Sequence, residues 1–394
     1  MQTEITWKRI ALGITLSLCS LAAYAVSSPS IQLDQSKDIY FDQFAPYTYA
    51  QQILQAKGKF NNHDLILGGS LQTDWQHWHG NSITTTPASD YQQGQALYFT
   101  QGTIDIMGNV TPWWTSFLSI DDAHIGQPAP DGNDIYLNHA MFIFGNLDRF
   151  PLFVTTGINT IPFGVFTGTG VWDTPLTASY FFPLQSPLFS IGFFRNGLNI
   201  SVSEFSDQAN HANHSVFSLY YTYKNGKFSA NIGAGYLTNL QSNETGSMTT
   251  HAKRRRDIPA GLTFGNVSDF NGGIGYGPVQ LSLEYIQGSE NTGSNTSVPA
   301  AASVLITYTH AIAGRNATFG FSRSQSFHLA NVPTSLAGQD SLPLASDGLQ
   351  KAWAVSASRT FFKDNISLGV DFAQTETYQA ANSYAATVEL FLYL

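Results

Sequence analysis

Residues 138–177 read NHAMFIFGNLDRFPLFVTTGINTIPFGVFTGTGVWDTPLT. Two strand-like apolar runs, 140–144 and 152–161, flank a turn containing Gly145, Asn146, Asp148 and Arg149, and a long Gly/Thr/aromatic segment follows. Phe, Ile, Val and Thr suit a pleated surface, while Gly and Asn supply the dihedrals of a tight turn. The pattern predicts a hairpin with one short end and one long end.

Outward from this hairpin the same punctuation runs from residue 64 to the C-terminus. Short turns are expected at 108–112, 146–149, 195–197, 224–226, 277–278, 313–316 and 363–365. Long connections are expected near 77–93, 122–133, 162–186, 206–214, 238–266, 288–301, 326–348 and 377–383. About sixteen strands follow, with both termini on the short-turn side. Phe228, Ala230, Ile232, Ala234 and Tyr236 alternate with Ser229, Asn231, Gly233 and Gly235, and 279–285 and 366–372 repeat the pattern. One face is apolar and the other small or polar, as lipid and lumen require. Alternation is poorer in 96–107, 135–144 and 303–309.

Composition points the same way. The chain has 394 residues, 13% aromatic and only 11% charged, well below the roughly one quarter charged in soluble domains. Beyond the N-terminal segment no run approaches the ~20 apolar residues of a membrane helix. The expected class is therefore all-β: a transmembrane antiparallel outer-membrane β-barrel with short periplasmic turns and long extracellular loops. A soluble β-sandwich is the competing class. The formal net charge of -9 argues against a nucleic-acid partner.

Lys8 and Arg9 precede an apolar run ending before Ala23-Tyr24-Ala25, the pattern of a signal peptide over 1–25. The single cysteine, Cys19, lies within it, so the mature chain would hold no disulfide or thiolate metal site. Residues 26–63 read as a periplasmic lead-in with a possible helix near 49–55, too short for a plug domain; the barrel spans 64–394. The last strand presents Ala386, Val388, Leu390, Leu392 and Leu394 on one face. It is the segment by which the barrel-assembly machinery would receive the chain, although the terminal residue is leucine rather than aromatic.

FGNLDRFPLFVTTG (144–157), followed by PFG and DTPLT, resembles the corresponding hairpin of the LbtU-type siderophore porins, the legiobactin-uptake family, and of the related FslE and FupA iron-uptake outer-membrane proteins. KFNNHDLILGGSLQTD (59–74) is a second match, and the resemblance extends from about residue 57 to the C-terminus. It implies a cell outer-membrane barrel, reached through the periplasm, that takes up a ferric siderophore or iron. Passage would be facilitated, without a plug or a cofactor. A general diffusion or ferrous-iron porin and a structural or adhesive envelope barrel are the alternatives. The resemblance supplies no binding residues.

Candidate sites follow from the residues themselves. The loop at 162–186 holds Phe163, Phe166, Trp172, Tyr180 and Phe181 with one charge, Asp173. Such an apolar loop is expected to fold into the lumen and constrict it; an aromatic girdle at the outer interface is the other reading. Lys253, Arg254, Arg255 and Arg256 would draw an anionic ligand to the pore mouth or bind lipopolysaccharide phosphates. His77 with His79, and His211 with His214, could each offer two imidazoles to a metal ion. Glu284 and Asp371 are expected to face the lumen. His139 and His310 lie on strands without a recognisable nucleophile beside them, and no phosphate or dinucleotide loop is present, so no enzyme is expected.

Overall fold

The computed structural model describes residues 31–33, 49–80, 93–122, 135–166, 168, 175–183, 185–206, 212–240, 265–290, 297–330, 332, 334–335, 344–345, 348–362 and 364–393. The expected signal peptide and the basic run 253–256 lie outside them. A three-residue strand β1 (Ile31–Leu33) and helix α1 (Tyr49–Ala56) come first. Strands β2 (Leu65–Gly80), β3 (Gln93–Gly108), β4 (Trp114–Asp122), β5 (Ile135–Gly145) and β6 (Leu152–Thr160) precede a short helix α2 (Leu176–Phe181). Then come β7 (Gln185–Arg195), β8 (Leu198–Ser206), β9 (Ala212–Asn225), β10 (Phe228–Leu237), β11 (Val267–Tyr276), β12 (Val279–Gly288), β13 (Ala300–Ile312) and β14 (Arg315–Phe327). A small hairpin, β15 (Thr334–Ser335) and β16 (Leu344–Ala345), leads to β17 (Leu349–Phe361), β18 (Ile366–Thr377) and β19 (Asn382–Tyr393).

Each long strand pairs antiparallel with its neighbours, and β19 pairs with β2 from Ser383↔Gly80 to Tyr393↔Ser70, closing a barrel of sixteen strands. Closure leaves no edge in lipid, where each unpaired backbone group would cost several kcal/mol. Below the end of β19, β1 lies parallel to β2, Ile31↔Leu65 to Leu33↔Leu67, covering the backbone that β19 does not reach.

Two-residue turns join strands where the sequence allows the required dihedrals. Asn196 (φ 51°) and Gly197 (φ 82°) form the turn between β7 and β8, and Ala313 (φ 49°) and Gly314 (φ 77°) that between β13 and β14. Two positive φ values match the right-handed twist of the flanking strands. In the 146–150 turn, Arg149 and Phe150 both donate to the Asn146 carbonyl, at 3.0 and 2.8 Å.

Alternation sorts the side chains between hydrocarbon and lumen. Ile232 is 65% exposed on the outer face, while its neighbours Asn231 and Gly233 point inward beside Gly273 and Asn271. Register shifts fall between Gln72 and Thr73 opposite β3, and between Ser119 and Ile120 opposite β5. Such bulges flip the inside–outside phase, which accounts for the poor alternation of 96–107 and 135–144. In β13 the inward Ala301 is apolar because the core lies against that wall, and Leu305 is a second buried apolar residue on the same face.

Part of the segment read as a lead-in sits in the barrel mouth. Ala50, Ile53, Leu54 and Ala56 of α1 pack on Ile66, Met107, Phe117, Met141, Ile143 and Phe153, the inner face of β2–β6 at the short-turn end. The helix enters with Tyr49 stacked on His139 at 4.2 Å and leaves beside Lys57, whose Nζ donates to the Thr111 carbonyl at 2.8 Å. Eight residues cannot hold a helix in water; the tertiary contact sustains this one. A Cβ on Gly145 would lie 2.6 Å from the Phe153 Cβ and 3.2 Å from Leu54 Cδ1, so that glycine admits the helix to the wall.

Candidate functional site

The chain leaving β6 turns inward rather than out over the rim. Phe163 donates its N–H to the Ile161 carbonyl at 2.8 Å across Pro162, a three-residue turn that starts the descent. The next residues are fastened to the wall: Val165 and Phe166 both donate backbone N–H to Glu284 Oε1, at 2.7 and 2.9 Å, and Tyr220 donates its hydroxyl to the Gly164 carbonyl at 3.2 Å. Phe163 lies over Gly235, where a Cβ would come within 3.1 Å of its ring. Gly164 holds φ 74° and Phe166 φ 49°, left-handed values that turn the chain back toward the barrel axis.

Helix α2 continues across the lumen. All of its residues are buried. Leu176 donates its N–H to Ser324 Oγ at 3.2 Å. The Tyr180 hydroxyl accepts from the Leu349 N–H at 2.6 Å and donates to the Leu349 carbonyl at 3.1 Å, bracketing one peptide unit of β17. Burial pushes the Tyr180 phenol up from its ordinary range. Beside it Ser326 and Tyr378 join hydroxyls at 3.0 Å, and Tyr378 accepts the Leu329 N–H at 3.2 Å.

Phe163, Phe166, Leu176, Tyr180 and Phe181 belong to one apolar cluster with wall residues from β7 to β17, among them Leu188, Phe205, Leu237, Ile286 and Ala352. Phe166 meets Phe182 edge-on at 5.2 Å. The described residues 161–166 and 176–181 therefore lie inside the barrel, pinned at Glu284, Ser324 and Leu349. Trp172 and Asp173 are outside the described residues, so the structure brings together four of the six residues singled out in this loop.

The remaining inner wall is acidic. Asp269 and Glu284 face the lumen under the inserted segment, with Asn271 donating to Asp269 at 2.6 Å. Away from it, Asp74, Asp105 and Asp121 line β2–β4, and Asp371 and Glu389 line β18 and β19. Gln72 donates to Asp74 at 3.0 Å and to Glu389 at 2.9 Å, linking the last of these strands to the first. Lys224 is the basic residue on the inward face of the described strands. Sequence reading picked out Glu284 and Asp371 but missed the others and missed the backbone groups that Glu284 holds. The Gln72-x-Asp74-x-Gln76 period marks the inner face of β2 without interruption, and would have exposed Asp74.

The histidines are dispersed. His77 and His79 share the outer face of β2 with Trp75, as H-x-H on a strand dictates. His214 points inward and stacks on Phe205 at 5.6 Å, and His211 lies outside the described residues. Among the described residues no group of three or more His, Cys, Asp or Glu is placed to hold a metal ion. His139 is packed against Tyr49, with Nε2 3.0 Å from Thr160 Oγ1; His310 stacks on Tyr308 at 6.0 Å.

Comparisons with known proteins agree with this architecture. Residues 36–260 match the family described as Protein of unknown function (DUF3573). A UPF0422 protein of Coxiella burnetii (strain RSA 493 / Nine Mile phase I) is 23% identical over 204 residues, 48% of this chain and 41% of that protein. The match thus spans less than half of the relative's length. Among solved structures, the anion-selective porin from Comamonas acidovorans superposes with a TM-score of 0.55 over 84% of this chain and 99% of its own, at 11% identity. The outer-membrane channel DcaP of Acinetobacter baumannii gives 0.51 over 84% and 97%, also at 11% identity. At these identities the likeness is one of fold: a porin-like outer-membrane barrel.

Proposed function

The chain belongs to the DUF3573 family, and on that footing we propose that it is an outer-membrane channel whose lumen is narrowed by residues 161–166 and 176–181 and which admits an iron-bearing solute. The observation that carries the channel reading is the inserted segment itself. A sixteen-stranded barrel encloses a water-filled lumen, and here an aromatic segment is bonded to its inner wall at Glu284, Ser324 and Leu349. Such an arrangement restricts passage without sealing the barrel by a separate domain. The porin-like neighbours support the same role.

Iron as cargo rests on the resemblance of 144–157, 162–164 and 173–177 to the siderophore-porin hairpin. Within that reading the wall chemistry favours one form of cargo. Apart from Asp269 and Glu284, which the inserted residues cover, carboxylates still outnumber amines on the described inner face, which favours cations over polyanions. A ferrous ion or a chelate without net negative charge fits it better than a polyanionic ferric siderophore. In this respect the chain departs from its anion-selective structural neighbour.

The test is conductance of the refolded full chain in planar bilayers under a salt gradient, with ferrous iron and neutral or anionic ferric siderophores added to the long-loop side. Cation-selective reversal and block by ferrous iron or a neutral chelate support the proposal. Anion-selective reversal overturns the assignment of cargo charge, and absence of any conductance overturns the channel.

A further inference from the structure

Toward the long-loop end of β14, β17 and β18 the outer face becomes mixed, with polar residues below an exposed Phe327 that ends β14. Lower on these strands it presents Phe319, Phe321, Val355, Leu368, Val370 and Phe372, all exposed. Above them the outward positions become Arg323 and Gln325 on β14, Lys351 and Trp353 on β17, and Gln374 and Glu376 on β18. The neighbouring inward residues, Ser322 and Ser324, are buried, and Ser324 bonds to the lumenal segment. Arg323 therefore points away from the barrel.

These residues are built into a net, with one member left over. Lys351 Nζ pairs with Glu376 at 2.9 Å. Trp353 Nε1 donates to Gln374 at 2.7 Å, and Gln374 donates in turn to Asn382 at 2.9 Å. Arg323 stands directly across the strand pair from Trp353 and diagonal to Lys351. No described residue gives it a hydrogen bond or ion pair, and it is exposed. With Lys351 neutralised by Glu376, the patch carries one uncompensated positive charge beside an indole.

A guanidinium on the lipid face is costly at the midplane and tolerated at the interface, where it can reach phosphate. Its fork of donors matches phosphate oxygens in a bidentate manner that an ammonium cannot reproduce. The apolar band directly below and the single aromatic Phe327 above set Arg323 in a mixed aromatic and polar belt, as at the edge of the hydrocarbon. We propose that Arg323, flanked by Trp353 and Lys351, is a docking site for the phosphate of a lipid A headgroup whose acyl chains lie along Phe319, Phe321, Val355 and Phe372. This site lies outside the barrel and is independent of what passes through the lumen.

The experiment uses the refolded full chain, loaded with bisphosphorylated lipid A in mixed micelles, stripped by detergent and examined by native mass spectrometry. Retained lipid A is expected to fall several-fold in Arg323→Ala and less in Arg323→Lys. Retention should be unchanged in Arg359→Ala, whose guanidinium bonds the Ile312 carbonyl at the opposite end. Dephosphorylated lipid A should not be retained. Folding of each variant is checked by heat-modifiable mobility, and Arg323→Gln serves if the alanine variant does not refold. Equal retention by wild type and the Arg323→Ala or Arg323→Gln variant overturns the proposal, as does equal retention of dephosphorylated lipid A. A wild-type dimer dispersed by Arg323→Ala would also overturn it, making a second copy the occupant.

Discussion

Glu284 on β12 accepts the backbone N–H of Phe166 at 2.9 Å across 118 residues of sequence, and its Oε1 takes the Val165 N–H as well. One carboxylate oxygen therefore fixes the point where the chain turns from the wall into the lumen. Glu284→Ala would leave two buried donors unsatisfied, at about 1–3 kcal/mol each. Larger and noisier conductance steps and a lower unfolding temperature are expected, with Glu284→Gln near wild type because its amide oxygen still accepts. Identical recordings for the alanine variant and wild type would dismiss the anchor.

Tyr180 brackets the Leu349 peptide with a single hydroxyl. Tyr180→Phe keeps the ring but exposes that peptide to loss of both bonds, destabilising the inserted segment by about 1–3 kcal/mol. The same phenol is shifted upward by burial. In an alkaline spectrophotometric titration the variant should lack one late-ionising tyrosine, and an unchanged late phase would contradict the placement.

Gly164 combines a φ of 74° with a position where a Cβ would overlap the Phe166 ring. Gly164→Ala faces both the left-handed penalty of about 1–2 kcal/mol and a clash that only movement of Phe166 relieves. Gly226, at φ 58°, has no atom within 4 Å of such a Cβ, so Gly226→Ala meets the dihedral penalty alone. Limited proteolysis should cut within 161–183 in the first variant and not in the second.

Lys57, at the exit of α1, is held down to about 8 by burial, from an ordinary value of 10.5. A base whose folded value is depressed resists burial of its charged form. Between those values the unfolded chain binds more protons than the folded one, so stability rises with pH through that window. Below about 8 the penalty is fully present. The wild-type unfolding midpoint relative to Lys57→Met should therefore rise from pH 8 to pH 10.5 and stay flat below; a falling difference would reverse the assignment.

Strand punctuation was legible because each short turn carries its own chemistry. Asn196-Gly197 and Gly277-Pro278 announce their turns locally. The β18–β19 connection was read as long, 377–383, yet it closes within 378–381, with Thr377 accepting the Ala380 N–H and donating to the Ala381 carbonyl. Ala380 takes φ 61° there, a conformation that alanine does not advertise. The inserted loop stood out through the density of Phe163, Phe166, Tyr180 and Phe181. What holds it did not, because Glu284, Ser324 and Leu349 are distant in sequence and ordinary in type. The inward docking of α1 was hidden for a similar reason: its partners Met107, Met141 and Phe153 sit on three different strands, two of them near phase-shifting bulges.

Helix α1 and the inserted aromatic residues differ in how much of the barrel each needs. The helix is linked through residues 57–64 to β2 and rests on β2–β6, whereas the described aromatic residues of 161–166 and 176–181 rest on wall residues from β7 to β17. The bed of the helix is one contiguous half-sheet that does not include β19. The aromatic segment has no complete bed without the C-terminal strands. The two fillings thus divide the cylinder, one seated on an N-terminal half-sheet and the other on the wall that the C-terminal strands complete.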